Sequence, residues 1–226
     1  MLAEAHNLFL TLLVFASAVL CIRADLSGRR RGVYVFKPLT IVLLLLLALQ
    51  APDGASPFYR VTIVAGLLFS LAGDVWLMLP SDRFRAGLGS FLVAHLCYVA
   101  AFGSAIGFLG SPWSLLPFVL GGAAIYRFLS PTLEALRIPV LVYMTAIVAM
   151  AWLSIERARA LEEVGSLIAC AGALLFVSSD ALLAVNRFRT PLPASPVLIL
   201  GTYFAAQWLI ALSTGVGEDL LDWSIR

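Results

Sequence analysis

Two aspartates, Asp74 and Asp180, lie inside stretches that otherwise exclude charge. Asp74 stands nine residues before Arg83-Phe84-Arg85, and Asp180 seven before Arg187-Phe188-Arg189. An ionisable group within a lipid-solvated segment is costly, so each is a candidate functional group by default. Lys37, His95, Tyr98, Tyr143, Ser179, Tyr203 and Gln207 are the further polar groups of such stretches, offering a cation, an imidazole, phenols, a hydroxyl and a carboxamide. Taken alone, each aspartate reads equally well as a hydrogen-bonded link between helices; the pair, in a repeated context, reads as a site. Two carboxyls in one apolar pocket divide labour: one keeps a proton and acts as acid, while the other stays ionised and steadies positive charge. That division suits hydrolysis through a cationic intermediate. His95 alone is more often a satisfied core histidine, Lys37 a residue that reaches for the interface, and Gln207 a link between helices.

Other chemistries are excluded by what is missing. A zinc site needs about three converging ligands, and the histidines are only His6 and His95, which excludes a His-rich metal site but not a carboxylate one; no metal or cofactor is expected. Gly87-Leu88-Gly89-Ser90 has the wrong spacing for a serine nucleophile elbow, and phosphate-loop and dinucleotide fingerprints are absent. Cys21, Cys97 and Cys170 are odd in number and embedded in apolar runs, which makes them packing residues rather than a disulfide framework.

The elements that position these groups follow from composition. Of 226 residues, 62% are hydrophobic and 12% charged, with a mean hydropathy of +0.99, far more apolar than a water-soluble domain can hide. Lipid admits only helices or closed barrels, because the backbone must satisfy itself. Barrel strands alternate apolar and polar residues, whereas Val42 to Ala48 runs without a polar residue, so helices are predicted. About 20 residues cross the hydrocarbon core. Runs near that length give a single all-α domain of eight transmembrane helices, at 5–22, 33–50, 58–79, 87–109, 113–129, 138–155, 164–185 and 196–214. The first run lacks the basic leader and small-residue cleavage site of a signal peptide, so it is expected to stay as a helix.

Eleven Lys and Arg residues fall after spans 1, 3, 5 and 7; Arg60, Arg157, Arg159 and Arg226 fall on the other side. The positive-inside rule then places the odd loops in the cytoplasm and both termini outside, with Arg29-Arg30-Arg31 facing anionic headgroups. Asp74, Asp180, Lys37 and Tyr143 all belong to the inner half, so the expected site opens toward the cytoplasmic leaflet. A net charge of +2, with no basic patch interleaved with aromatics, gives no sign of a nucleic-acid partner. A parallel four-plus-four repeat is also predicted. Gly66-Leu67-Leu68-Phe69 leads to Asp74 as Gly172-Ala173-Leu174-Leu175-Phe176 leads to Asp180. Gly66, Ser70 and Asp74 recur every four residues and make a stripe on which another helix can approach closely.

The run Val35-Phe36-Lys37-Pro38-Leu39-Thr40, then Gly73-Asp74, Gly87-Leu88 and Phe91 to Tyr98, resembles the YhhN-like lysoplasmalogenase family. Tyr143, Ser179-Asp180 and Tyr203 to Gln207 continue the pattern across nearly the whole chain. The resemblance implies an eight-helix bacterial inner-membrane enzyme that hydrolyses the vinyl ether bond of lysoplasmalogens. Its products would be a fatty aldehyde and glycerophosphoethanolamine or glycerophosphocholine. It implies Asp74 and Asp180 as catalytic groups, with Lys37, His95, Tyr98, Tyr143, Ser179, Tyr203 and Gln207 around the lysophospholipid. Two other classes stay open on the residues alone: a carrier, since midplane polar groups also mark transporters, and a lipid-binding membrane protein without turnover.

Overall fold

The computed structural model describes residues 2–51, 55–81, 83–106 and 110–216, with side chains from His6 onward. Eight helices follow one another: α1 (Leu2–Leu26), α2 (Arg30–Leu49), α3 (Pro57–Met78), α4 (Phe84–Gly103), α5 (Pro112–Leu129), α6 (Arg137–Leu161), α7 (Val164–Phe188) and α8 (Ser195–Leu212). Two short 3-10 turns, Ser130–Thr132 and Glu134–Leu136, join α5 to α6. Among the described residues there is no strand, and all eight helices are long and apolar enough to cross a membrane. Leu8, Phe9, Leu12, Val61, Leu68, Trp113 and Leu167 stand outward, each more than half exposed. Side chains of this kind on every side of a bundle need lipid as their solvent. The chain is a polytopic, all-helical integral membrane protein.

Local chemistry sets where the helices begin and end. Proline occupies the first turn of α3, α5 and α8, where a missing N–H costs nothing. Ser56 caps α3 by accepting from the Tyr59 N–H at 3.2 Å. Every expected span has its helix, and the ends of α4 and α6 depart furthest from expectation. α4 ends at Gly103, and positions 107–109 of the expected fourth span lie outside the described residues. α6 continues to Leu161, past Glu156, Arg157 and Arg159. That polar extension stays helical because its charges have work at the bundle's end. The Glu156 carboxylate accepts from the Ser111 N–H at 3.0 Å and the Ser114 hydroxyl at 2.5 Å, which ties the start of α5. Arg157 lies over the Tyr59 ring at 4.3 Å.

The closest helix pairs are α3 with α4 and α7 with α8, and glycines make both possible. A Cβ on Gly66 would overlap the Tyr98 ring, and one on Gly172 would sit 2.9 Å from the Ala206 carbonyl oxygen. The core between them holds Ile41, Leu44, Ile63, Leu67, Phe102 and Phe176. α5 is different: its main neighbour is α6, and only Leu129 of its residues is buried. The helix ends sort by charge. Arg187 lies over the Phe84 ring at 4.0 Å, bringing the end of α7 to the start of α4. The opposite end joins Tyr59 to Ser213, hydroxyl to hydroxyl at 2.8 Å. Arg226, counted with the opposite side in the sequence, lies outside the described residues.

Candidate active site

A cavity of about 450 Å³ opens within the arginine-rich half of the bundle. Lys37, Asp74, Tyr143, Ser179, Asp180 and Tyr203 line it, so five helices bring both aspartates to one space. The rest of its wall is largely apolar, with Leu88, Phe91, Ile147 and Val177 among it.

Asp74 is 1% exposed and ion-paired: Oδ1 lies 2.9 Å from Lys37 Nζ. Its other oxygen, Oδ2, accepts from the Tyr203 hydroxyl at 2.7 Å. Behind Tyr203 the polar groups continue into the core. Gln207 Nε2 donates to the Tyr203 hydroxyl oxygen at 3.3 Å, and the Tyr98 hydroxyl donates to Gln207 Oε1 at 2.7 Å. These bonds all point one way, from Tyr98 through Gln207 and Tyr203 to the carboxylate, and every member finds a partner. Lys37 can reach Asp74 because it sits about two turns inside α2, next to Pro38. Its ammonium also lies 5.9 Å from the Tyr203 ring centre.

Asp180 has no such cation beside it. The Tyr143 hydroxyl donates to Oδ2 at 2.7 Å, and His95 Nε2 approaches the same oxygen at 3.5 Å, too far for a well-formed hydrogen bond. His95 is held from behind, its Nδ1 2.6 Å from the Phe91 carbonyl oxygen one turn earlier. Its ring meets Phe176 edge to face at 4.7 Å and Tyr143 at 5.1 Å. Phe176 also meets Tyr203 at 5.6 Å, so one phenyl ring stands between the surroundings of the two aspartates.

The expected site residues therefore fall into two sets. Asp74, Asp180, Lys37, Tyr143, Ser179 and Tyr203 reach the cavity. His95, Tyr98 and Gln207 are fully buried behind it and connect to it through Asp180 or Tyr203. Ser179 spends its proton on the Ile199 carbonyl at 3.0 Å, which ties α7 to α8 and leaves lone pairs as its remaining hydrogen-bonding capacity. Among the described residues no group of three or more His, Cys, Asp or Glu side chains is placed to hold a metal ion. The expected residues that reach the cavity thus bring two carboxyls, two phenols, a serine hydroxyl and an ammonium to a largely apolar wall.

The sequence pattern of the YhhN family matches residues 32–214, a stretch that takes in every lining residue named above. The chain belongs to the YhhN family. It is 35% identical over 202 residues to the uncharacterized membrane protein YhhN of Escherichia coli O157:H7, covering 88% of this chain and 95% of that one. It is 42% identical over 160 residues to lysoplasmalogenase TMEM86A of Bos taurus, covering 67% of this chain and 64% of that one. Lysoplasmalogenase TMEM86B of Homo sapiens is 37% identical over 166 residues, covering 73% and 66%. No solved structure matches the chain significantly.

In this YhhN-family chain the cavity also has lining residues that sequence reasoning missed. Asp25, Asn186 and Arg187 stand at its arginine-rich end, and Pro117, Phe118, Gly121 and Gly122 form part of its α5 wall. Asp25 carries a signal of its own, as the lone acid between Arg23 and Arg29-Arg30-Arg31.

Proposed function

We propose that this chain is a lysoplasmalogenase, a membrane hydrolase that cleaves the vinyl ether bond of a lysophospholipid to a fatty aldehyde and a glycerophospho-alcohol. The observation that carries the reading is the unequal pair of carboxyls lining one apolar-walled cavity, in a chain similar to proteins named for that activity.

Asp180, with a phenol and an imidazole beside it, supplies the proton. It goes to the vinyl carbon remote from oxygen, and the adjacent carbon becomes an oxocarbenium ion. Asp74, whose charge Lys37 offsets, faces that cation and orients the attacking water. Water adds to the cationic carbon and gives up one proton, which returns to the Asp180 carboxylate, leaving a neutral hemiacetal. The hemiacetal collapses with cleavage of the carbon–oxygen bond to glycerol, its hydroxyl proton passing to the departing oxygen. One water is consumed and the acid is regenerated. Tyr143 and Tyr203 hold the two carboxyls in place, His95, Tyr98 and Gln207 support that arrangement from behind, and Ser179 lines the cavity beside Asp180. Lys37 and the basic first loop meet the substrate phosphate. The cavity opens toward the cytoplasmic leaflet of a bacterial inner membrane with both termini outside, a reading supported by the basic residues gathered at that end. The chain reads as one transmembrane domain of two parallel halves, a duplication supported by the glycine-mediated pairs α3–α4 and α7–α8.

The test uses purified protein in detergent, incubated in D2O with an alkenyl lysolipid and with its saturated alkyl ether analogue. The expected result is aldehyde from the alkenyl lipid alone, carrying one deuterium on the carbon next to the carbonyl. Cleavage of both lipids, or aldehyde without that deuterium, removes carbon protonation from the mechanism. Lysolipid that binds and emerges unchanged removes the hydrolase reading itself.

A further inference from the structure

The α5 wall of the cavity is built for a function that the carboxyl chemistry does not need. Pro117, Gly121, Ile125 and Leu129 line the cavity at four-residue intervals, so they form one stripe along a single face of α5. From Pro117 to Leu129 the stripe rises about 18 Å along the helix. Opposite it on α6, the lining runs from Val140 to Ala151. Tyr143, the partner of Asp180, stands near the arginine-rich end of that run, and the wall continues eight residues beyond it, about 12 Å. Ile147, Val148 and Ala151, which line that continuation, are all apolar.

Gly121 sits in the middle of the stripe. A Cβ placed there meets nothing within 4 Å, whereas one on the adjacent Gly122 meets Val148 at 3.1 Å. Gly122 therefore serves the contact between α5 and α6, while Gly121 widens the cavity. Helix packing does not account for a glycine at position 121, and glycine weakens a helix interior by roughly 1 kcal/mol relative to alanine.

The geometry points to a slot along α5 that takes a single unbranched aliphatic chain, with Gly121 as the position that admits it past the carboxyls. The inference rests on the proposed hydrolase reading and deepens it. The polar head lies at the arginine-rich end, the reacting bond lies at Asp74 and Asp180, and the hydrocarbon runs on beside Gly121 toward Ala151. The occupant is one chain because the cavity, at about 450 Å³, lies at the small end of ligand sites. It is apolar because the wall beyond Tyr143 offers it no polar partner.

The experiment compares Gly121→Leu with the native protein on alkenyl lysolipids of one headgroup, with butenyl, octenyl and hexadecenyl chains. A leucine there displaces several methylenes, each worth several-fold in affinity. The ratio of kcat/KM for hexadecenyl over butenyl is expected to fall by at least about tenfold, mainly through KM. A ratio that does not change, whether activity is kept or lost equally on all three, overturns the slot. A second measurement needs no turnover and covers a Gly121→Leu protein that fails to fold. In Gly121→Cys, labelling by a maleimide above the native background is expected to slow when a saturated hexadecyl ether lysolipid is added. Glycerophosphoethanolamine without a chain should leave the rate unchanged. Equal labelling rates with both overturn the proposal. Protection by the chain in a protein that cleaves no vinyl ether of any length leaves the slot standing and removes the hydrolase reading instead.

Discussion

Asp74 and Asp180 line the same cavity, yet their surroundings have little in common. Asp74 is sealed at 1% exposure and faces the chain's only lysine at 2.9 Å, with Tyr203, Gln207 and Tyr98 bonded in series behind it. Asp180 is 14% exposed and has a phenol and an imidazole as neighbours, with no Lys or Arg within ion-pair reach among the described residues. A charge buried with its counter-charge persists as a charge, and removing one partner is strongly destabilising. A carboxyl among neutral groups is free to carry a proton and part with it. The difference separates a fixed charge from a movable proton, and a two-carboxyl mechanism needs one of each.

The comparison can be broken most directly at the acid. Asp180→Asn keeps the shape and removes the exchangeable proton, and should lower kcat about a thousandfold, read as aldehyde release from detergent-solubilised protein. Its thermal stability should change little. Asp74→Asn should behave in the opposite sense on stability. It strands the Lys37 ammonium and should cost about 3 kcal/mol in chemical unfolding, besides lowering activity. Adding Lys37→Met to Asp74→Asn should restore most of that stability and none of the turnover. If the single and double variants unfold alike, the ion pair does not distinguish the two aspartates. The phenols come next. Tyr143→Phe and Tyr203→Phe each remove one hydrogen bond to a carboxyl, worth about 1–2 kcal/mol. The loss should appear as a roughly tenfold lower kcat for Tyr143 and chiefly as lower stability for Tyr203. The smallest effect belongs to Gln207→Leu, which leaves the Tyr98 hydroxyl without its acceptor. It should cost about 1 kcal/mol of stability and change kcat only a few-fold. Equal losses of activity at Gln207 and Tyr143 would show that the buried series acts in chemistry rather than in support.

Much of this arrangement is legible in the amino-acid order, because lipid makes polar residues conspicuous. Asp74, Asp180, Lys37, Tyr143 and Tyr203 stand out for their cost in hydrocarbon, and all five line the cavity. What the order of residues does not carry is direction around a helix axis once partners are chosen. His95, Tyr98 and Gln207 are as conspicuous as the others, yet they sit behind the wall, because the Phe91 carbonyl and the Tyr203 hydroxyl take them there. The Lys37–Asp74 contact joins α2 to α3 and could not be told from a lysine reaching for the interface. α5 reads as a short apolar span, and the stripe through Gly121 acquires meaning only when α6 is set against it. Asp25 stands out only as the lone acid among arginines that themselves read as a topology signal. The extension of α6 beyond 155 depends on Glu156 finding Ser111 and Ser114 at the start of the neighbouring helix α5.

The contact between His95 and its own backbone carries a consequence for spectroscopy. A carbonyl oxygen can only accept, so the ring nitrogen facing Phe91 must keep its hydrogen, and the imidazole is confined to one tautomer. The nitrogen left over points at Asp180. In 15N-labelled protein, the Phe91-facing nitrogen should hold a pyrrole-type shift across the accessible pH range, while its partner alone responds when Asp180 is replaced by asparagine.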